Sequence, residues 1–257
     1  MINDKLIYDI GMHTGEDTVH YLKKGFNVVA VEANPVLAEQ NSKKFAKAIE
    51  EKRLTILNVG IAPQEGELIF YKNLRLTEWS SFDKVLGSRG GGYEELQVQC
   101  VTTEKLFETY GIPFYLKVDI EGFDYLCINA LGYKNELPKY VSCEASELSL
   151  LDTLYAKGYR KFKFIGQSND FAPPNIAAES NKLYERYLIV KSGIKMRIQK
   201  YIPFRHLYGS SGPFAEETKG DWMTHEEVAK LFNAFYFPQG KLAPINKANW
   251  FDFHAKQ

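Results

Sequence analysis

Hydrophobic and polar positions alternate along the first two thirds of the chain in a pattern that predicts short strands separated by helices. Apolar, β-branched runs predict buried strands at 6–10, 27–32, 54–59, 114–120, 140–144 and 161–165. Helical patterns occur at 14–24, 36–50, 103–110, 124–131 and 148–157. Such an alternation is typical of a parallel sheet with helices on both faces.

A seventh strand is predicted at 187–190, where the run Tyr-Leu-Ile-Val follows a polar connection without a helical pattern. A connection of that kind favours an antiparallel last strand. We therefore expect a Rossmann-like α/β fold with seven strands, mostly parallel, and with the strand at 6–10 in the interior of the sheet.

The regular alternation breaks twice. Between the third and fourth strands, 67–71 is predicted either to pair with 96–101 or to extend the main sheet, and the glycine-rich stretch 87–92 is expected to be mobile. Beyond 191 aromatic residues are dense and periodicity is poor, except for a helix at 224–236 that Thr224 and Glu227 begin with a capping box. We divide the chain into a domain at 1–192 and an aromatic-rich C-terminal extension at 193–257.

Composition and charge narrow the classes of function. The 257 residues contain 32 Lys plus Arg and 32 Asp plus Glu, so the chain lacks the basic surplus that nucleic acid binding requires. The three cysteines form no Cys-x-x-Cys pair and lie in apolar runs, which favours buried thiols over a zinc site. No apolar run approaches the ~20 residues of a membrane helix, and no signal-peptide pattern is present, so we expect a cytoplasmic protein without a membrane span.

The first chemical motif follows the first strand, in the sequence Asp9-Ile10-Gly11-Met12-His13-Thr14-Gly15. Gly11 and Gly15 permit a sharp turn and close approach of a ligand, and Glu32 at the end of the second strand can accept hydrogen bonds from ribose hydroxyls. An anion at Asp9 would repel a pyrophosphate but attract the amino group of a methionine moiety. This contrast favours S-adenosylmethionine over a dinucleotide, although a plain strand-to-helix turn is the structural alternative.

Two further groups of carboxylates end later strands. Period-two alternation places Lys117, Asp119 and Glu121 on one side of the fourth core strand, and Glu144 ends the next one. Charges in an apolar strand are costly unless they are paired or functional. The structural alternatives are a salt bridge between Lys117 and Asp119 and a solvated loop acid at Glu144.

Together these residues resemble the FkbM family of S-adenosylmethionine-dependent methyltransferases between about 6 and 190. The resemblance rests on the acid-glycine turn, on Val31-Glu32-Ala33-Asn34-Pro35 and on Leu116-Lys117-Val118-Asp119-Ile120-Glu121-Gly122. It implies a class I methyltransferase fold and usually O-methylation of a hydroxyl on a sugar, glycan or natural product. A histidine at position 13 departs from the small or amide residue that we expect there.

The resemblance also implies roles for individual residues. The turn after the first strand would line the methionine end, Glu32 would hold the ribose, and Asn58 would lie near the adenine. The implied cofactor residues are Asp9, Gly11, Met12, His13, Thr14, Gly15, Glu32, Ala33, Asn58, Val59 and Asp119. The carboxylates assigned to catalysis are Asp119, Glu121 and Glu144, of which Asp119 and Glu121 would lie near the transferred methyl group.

On the acceptor side we assign Ser81 and Arg89, since a guanidinium offers a fork of donors to a polar acceptor. We expect the glycine-rich stretch and the C-terminal extension to cover the acceptor pocket. A histidine could remove the hydroxyl proton, and His13, His206 and His254 are the alternatives to the carboxylates. We assign no metal, while Mg²⁺ held by the catalytic carboxylates stays open as an alternative.

The function predicted from the sequence is therefore methyl transfer from S-adenosylmethionine to a hydroxyl of a small-molecule or glycan acceptor. Two alternatives share the turn geometry: an NAD-dependent oxidoreductase, for which Glu32 also fits, and a cofactor-binding module without catalytic activity. The identity of the acceptor and the oligomeric state do not follow from the sequence.

Overall fold

The computed structural model describes residues 2–167, 171–176, 182–198, 201, 210–237 and 250–257. Its strands are β1 (Asn3–Ile10), β2 (Asn27–Val31), β3 (Leu54–Leu57), β4 (Gly60–Ile61), β5 (Gly66–Asn73), β6 (Tyr93–Val101), β7 (Pro113–Val118), β8 (Tyr140–Glu144), β9 (Lys161–Gly166) and β10 (Phe251–Lys256). Its α-helices are α1 (Glu16–Lys23), α2 (Pro35–Lys44), α3 (Ala46–Glu50), α4 (Lys84–Gly87), α5 (Thr103–Tyr110), α6 (Asp124–Asn129), α7 (Leu148–Lys157), α8 (Lys182–Ile198) and α9 (His225–Tyr236).

Among the described residues, seven strands form one sheet in the order β3-β2-β1-β7-β8-β10-β9, and β4, β6 and β5 form a smaller sheet. The strands β2 and β7 flank β1, and both run parallel to it. The last strand, β10, runs antiparallel to β9. The predicted fold class is confirmed, with β1 in the interior and one antiparallel strand from the end of the chain.

The chain divides into two compact units, Met1–Val141 and Ser142–Gln257. In the first unit the core lies around β1, where Ile7, Tyr8 and Ile10 are fully buried. The Tyr8 ring is buried, and its hydroxyl proton is shared between the carbonyl oxygens of Leu106, at 2.9 Å, and Gly111, at 2.7 Å. These bonds fix the end of α5 against the central strand.

The core of the second unit is aromatic. Phe164 on β9 stacks on Phe251 of β10 at 4.5 Å between ring centroids, and Phe253 lies 5.5 Å from Phe232 of α9. Period-two alternation sends these strand side chains to one face, where the amphipathic helix α9 covers them. The predicted capping box at Thr224 and Glu227 is confirmed at the start of that helix.

The prediction of a strand at 187–190 is wrong, because these residues lie within α8. The local β-branched run suggested a strand, but apolar residues recur at 183, 187, 190 and 194 with helical spacing. The seventh strand is β10, from the segment that we assigned to the C-terminal extension. The boundary at 192 and the extension's role as a pocket cover stay predictions.

Of the two arrangements predicted for 67–71, the structure shows the pairing with the segment at 96–101, in the antiparallel strands β5 and β6 of the smaller sheet. The stretch 87–92 begins at the end of α4 and leads into β6, and its predicted mobility stays untested. Across the described parts of the chain, every helix is too short or too polar to cross a bilayer.

Replacing Phe253 by Ala tests the aromatic core of the second unit. Phe253 is 0% exposed, so truncation leaves a cavity, and we expect the free energy of unfolding to fall by about 3–5 kcal/mol in urea titrations. The matched control is Phe237→Ala, because Phe237 is 69% exposed and its loss should change that free energy by less than about 0.5 kcal/mol. Equal effects of the two variants would contradict this description of the core.

Candidate functional site

The turn after β1 carries the first predicted motif, and its glycines hold a conformation that other residues avoid. Gly11 has φ of +82°, and a Cβ there would lie 1.9 Å from the carbonyl oxygen of Asp119. Gly15 has φ of +77° and caps α1 without a side chain that accepts from the first helical turn. Close contact between this turn and the end of β7 therefore requires glycine at position 11.

A buried ion pair joins the same two strands. Asp9 and Lys117 are register partners on the parallel strands β1 and β7, so their side chains share one face. The Lys117 Nζ lies 3.2 Å from Asp9 Oδ1 and donates to the carbonyl oxygen of Gly11 at 2.7 Å. Thr18 completes the group by donating to Asp9 Oδ2 at 2.6 Å.

Burial and charge act in opposite directions on Lys117. Burial alone lowers the pKa of the ammonium, but the carboxylates of Asp9 and Asp119 outweigh it and leave the pKa above its usual range. The ammonium therefore stays charged at every physiological pH. Asp9, whose carboxylate we expected to attract the amino group of a ligand, has Lys117 as its partner in the structure.

Glu32 lies just beyond β2 and organises the backbone around it. One carboxylate oxygen accepts from the His13 N–H and the other from the Asn34 N–H, each at 2.8 Å. Burial raises the pKa of Glu32 to about 7, against the opposing effect of these two hydrogen bonds. The Asn58 side chain donates to the Glu32 carbonyl oxygen at 2.8 Å, which brings the predicted adenine neighbour to the same strand end.

His13 adopts a left-handed backbone conformation, with φ of +47°. Its ring Nε2 lies 2.9 Å from Thr77 Oγ1, and its carbonyl oxygen accepts from the Asn41 side chain at 2.5 Å. A non-glycine residue in this conformation costs on the order of 1–3 kcal/mol and persists only where its surroundings hold it. The histidine at position 13, where we expected a small or amide residue, therefore links the glycine turn to the segment between β5 and β6.

The predicted acceptor residues meet Glu121, which follows β7. Arg89 forms an ion pair with the Glu121 carboxylate, and Ser81 Oγ donates to the Glu121 carbonyl oxygen at 2.8 Å. The Arg89 guanidinium also lies over the Trp79 ring, 5.3 Å from its centroid. Glu121 has φ of +45°, so a second left-handed residue is held by the segment between β5 and β6.

The environment of Glu121 suits proton transfer near neutral pH. Burial raises the pKa of Glu121 to about 7; the nearby Asp119 adds to this rise, and Arg89 opposes it. The Asp119 side chain is 33% exposed and lies 3.9 Å from the Lys117 ammonium. A carboxylate with a pKa close to the working pH is an effective general base.

The structure brings most of the predicted residues of the first unit to the ends of β1, β2 and β7. Met12 is buried, and Thr14 and Val59 are half-buried near these ends, as is Ala33, whose carbonyl oxygen accepts from Asn58 at 3.3 Å. Glu144 ends β8 in the second unit and is half-buried. Of the histidines considered as alternative bases, His206 lies outside the described residues. Burial and the nearby Lys163 lower the pKa of His254 to about 3, which makes His254 a poor base.

Three residues of this arrangement were not assigned from the sequence: Thr18, Asn41 and Thr77. Thr18 follows Asp9 by nine positions, one turn into α1, which is a spacing that the sequence could have suggested. Asn41 and Thr77 are 28 and 64 positions from His13, so only the tertiary structure identifies them.

Removal of the Lys117 ammonium should destabilise the first unit. In Lys117→Met the Asp9 carboxylate is left buried without a cation, and we expect the free energy of unfolding to fall by about 3–5 kcal/mol in urea titrations. The double variant Asp9→Asn/Lys117→Met should recover much of that loss because no charge remains unpaired. The control is Lys47→Met, whose side chain is 87% exposed. A Lys117→Met variant as stable as this control would contradict the ion pair.

Comparisons with known proteins place these observations in a family. The solved structures that resemble the chain include the methyltransferase FkbM from Methylobacillus flagellatus KT (13% identity, TM-score 0.38) and the C-terminal domain of precorrin-6Y C5,15-methyltransferase from Rhodobacter capsulatus (14%, 0.38). They also include an S-adenosylmethionine-dependent methyltransferase from Geobacter sulfurreducens in complex with S-adenosyl-L-homocysteine (7%, 0.39). The matches cover 56%, 64% and 100% of this chain and 34%, 66% and 86% of those chains. The chain thus spans about a third and about two thirds of the first two structures.

No curated protein matches the chain. The family model described as the methyltransferase FkbM domain matches residues 9–161. This match contains the glycine turn, Glu32 and the carboxylates after β7, so the resemblance expected from the motifs is confirmed. Because the match spans more than half of the sequence, the chain belongs to the FkbM family of methyltransferases.

Proposed function

We propose that the chain transfers a methyl group from S-adenosylmethionine to a hydroxyl oxygen of a sugar, glycan or natural-product acceptor. The observation that carries this proposal is the meeting of the glycine turn after β1 with carboxylates at the ends of β2 and β7. Glu32 and Asp119 occupy those two ends. In open α/β sheets, ligands bind outside the carboxyl ends of the strands.

The residues at these strand ends fit S-adenosylmethionine. The first turn of α1 begins at Gly15 without a side-chain cap, so its N–H groups suit the carboxylate of a methionine moiety. Asp119 offers a partly exposed carboxylate to the methionine amino group. Glu32 can accept from ribose hydroxyls, and Asn58 is exposed beside it for the adenine. Asp9 acts on the cofactor through Lys117, which holds the Gly11 carbonyl oxygen.

When bound, S-adenosylmethionine supplies a methyl group on a cationic sulfur, and the displacement leaves S-adenosylhomocysteine and a methyl ether. The chain's own part is to align the acceptor hydroxyl and to take its proton. Glu121 suits the second task because its pKa of about 7 lets it be ionised before the transfer and protonated after it. Arg89 orients that carboxylate through their ion pair.

Membership of a methyltransferase family disfavours the alternative of an NAD-dependent oxidoreductase. A panel of hydroxyl-bearing sugars, glycans and polyketide-like compounds, incubated with methyl-labelled donor, tests the proposal directly. Label in a product that resists mild base, as a methyl ether does, supports O-methylation of a hydroxyl. Tight binding of S-adenosylhomocysteine without product from any acceptor would favour the module without catalytic activity. The catalytic role of Glu144, the absence of a nucleic acid partner and the cytoplasmic location stay predictions from the sequence.

The affinity for S-adenosylhomocysteine should rise with pH through the pKa of Glu32. The ionised carboxylate accepts from the ribose hydroxyls better than the protonated one, so with a pKa of about 7 we expect up to about tenfold tighter binding at pH 8 than at pH 6. Calorimetry measures this. Glu32→Gln should bind more weakly and lose this pH dependence, while the exposed control Glu39→Gln should behave as the parent chain. A parent affinity that is constant across this range would remove Glu32 from the ribose site.

Glu121→Gln should slow methyl transfer by about 10²–10⁴-fold with little change in cofactor affinity, since the amide keeps the shape but takes no proton. Arg89→Gln removes the cation that lowers the pKa of Glu121, so the acid limb of the pH–rate profile should move to higher pH. Glu94→Gln, at a side chain of β6 that is 50% exposed, is the control. If Glu121→Gln keeps full turnover and Asp119→Asn does not, the base is Asp119.

A further inference from the structure

Helix α8 presents an apolar stripe to solvent. Leu183, Tyr187, Val190 and Ile194 are each more than half exposed, although all four are large apolar residues. Their spacing of four, three and four positions, at about 100° per residue, keeps them within about 60° of one another around the helix. An exposed apolar surface of this regularity marks an interaction site.

A different face of the helix holds it to its own unit. Leu188 is buried, and the Lys195 Nζ lies 5.7 Å from the centre of the Phe171 ring. Both residues lie about 100° or more around the helix from the centre of the apolar stripe. The stripe is therefore not the face on which α8 packs.

Positive charge borders the apolar stripe. The sequence of α8 holds five basic residues and one acidic residue, although the whole chain contains 32 of each. Arg186 and Arg197 are exposed along one border. Lys191 lies on the other border, where its Nζ is 5.9 Å from the centre of the Tyr187 ring. Long basic side chains beside an apolar face can reach anionic groups while the face itself is buried.

This charge distribution decides between partners. In a dimer that paired two copies through the stripe, Arg186, Lys191 and Arg197 of one copy would face the same cations of the other, which opposes association. A bilayer with anionic headgroups supplies the opposite charge and an apolar layer beneath it. We propose that α8 is a membrane-surface helix that lies in the interface of bilayers containing anionic phospholipids. This inference does not depend on the proposed methyl transfer.

The test uses the full chain in flotation with two kinds of vesicle, one of phosphatidylcholine alone and one of equal parts phosphatidylcholine and phosphatidylglycerol. We expect the chain to float with the anionic vesicles and to stay behind with the neutral ones. Ile194→Asp, in the stripe, should weaken binding by at least about tenfold. The matched control is Ile189→Asp, since Ile189 is 51% exposed and Ile194 is 52% exposed, but Ile189 lies on another side of the helix. Both variants add one negative charge, so this control should lose only about fivefold in affinity and should bind more tightly than Ile194→Asp.

The contribution of charge is tested separately. Arg186→Gln/Arg197→Gln should weaken binding to anionic vesicles by roughly 30-fold, and added salt should weaken binding of the parent in the same direction. Circular dichroism melting of each variant shows whether its fold is retained. Absence of binding to either vesicle overturns the proposal, as does equal binding by the Ile194→Asp and Ile189→Asp variants. A concentration-dependent dimer that Ile194→Asp abolishes, without vesicle binding, assigns the stripe to a second copy of the chain instead.

Discussion

The buried ammonium of Lys117 holds together the backbone of the candidate site. It sits between the Asp9 carboxylate and the Gly11 carbonyl oxygen, at the point where β1 and β7 end side by side. A charge in that position is tolerated because a carboxylate lies 3.2 Å away and Thr18 donates a hydrogen bond to that carboxylate. Since the same contact holds the glycine turn against Asp119, the surface offered to a cofactor depends on a pair that the cofactor need not touch.

The turns that follow β1 and β7 are both held in place by another part of the chain. His13 and Glu121 both hold left-handed backbone conformations, and both are tied by side chains to the segment between β5 and β6. Strained turns that are held from outside are a common means of fixing functional groups. In this chain the segment that holds them also carries Ser81 and Arg89. The residues proposed to bind the acceptor are therefore connected by side-chain contacts to those proposed to bind the methyl donor. Within the first unit, alignment of the two substrates can then be a property of one network.

Helix α8 packs on its own unit with one face and exposes another face to solvent. A small inner face, with Leu188, anchors it to the second unit, and its outer face combines an apolar stripe with arginines. The overall balance of charge in the chain conceals this local surplus. Because net charge averages over the whole surface, it argues against an extended nucleic acid interface but says little about one helix.

The sequence by itself determined the fold class, most of the strands and helices, and the motif at the end of β1. These follow from local signals, since apolar periodicity, glycine positions and capping residues act within a few positions of one another. It failed at 187–190, where a short β-branched run and a helix face cannot be told apart locally, and it missed β10, which pairs with residues some ninety positions away. Only the tertiary structure decided that Asp9 forms an ion pair with Lys117 and that Arg89 forms one with Glu121. It also decided that the His13 ring contacts the Thr77 hydroxyl. Each of these contacts joins residues that are distant in the chain, and their pairing depends on how the strands are ordered in space.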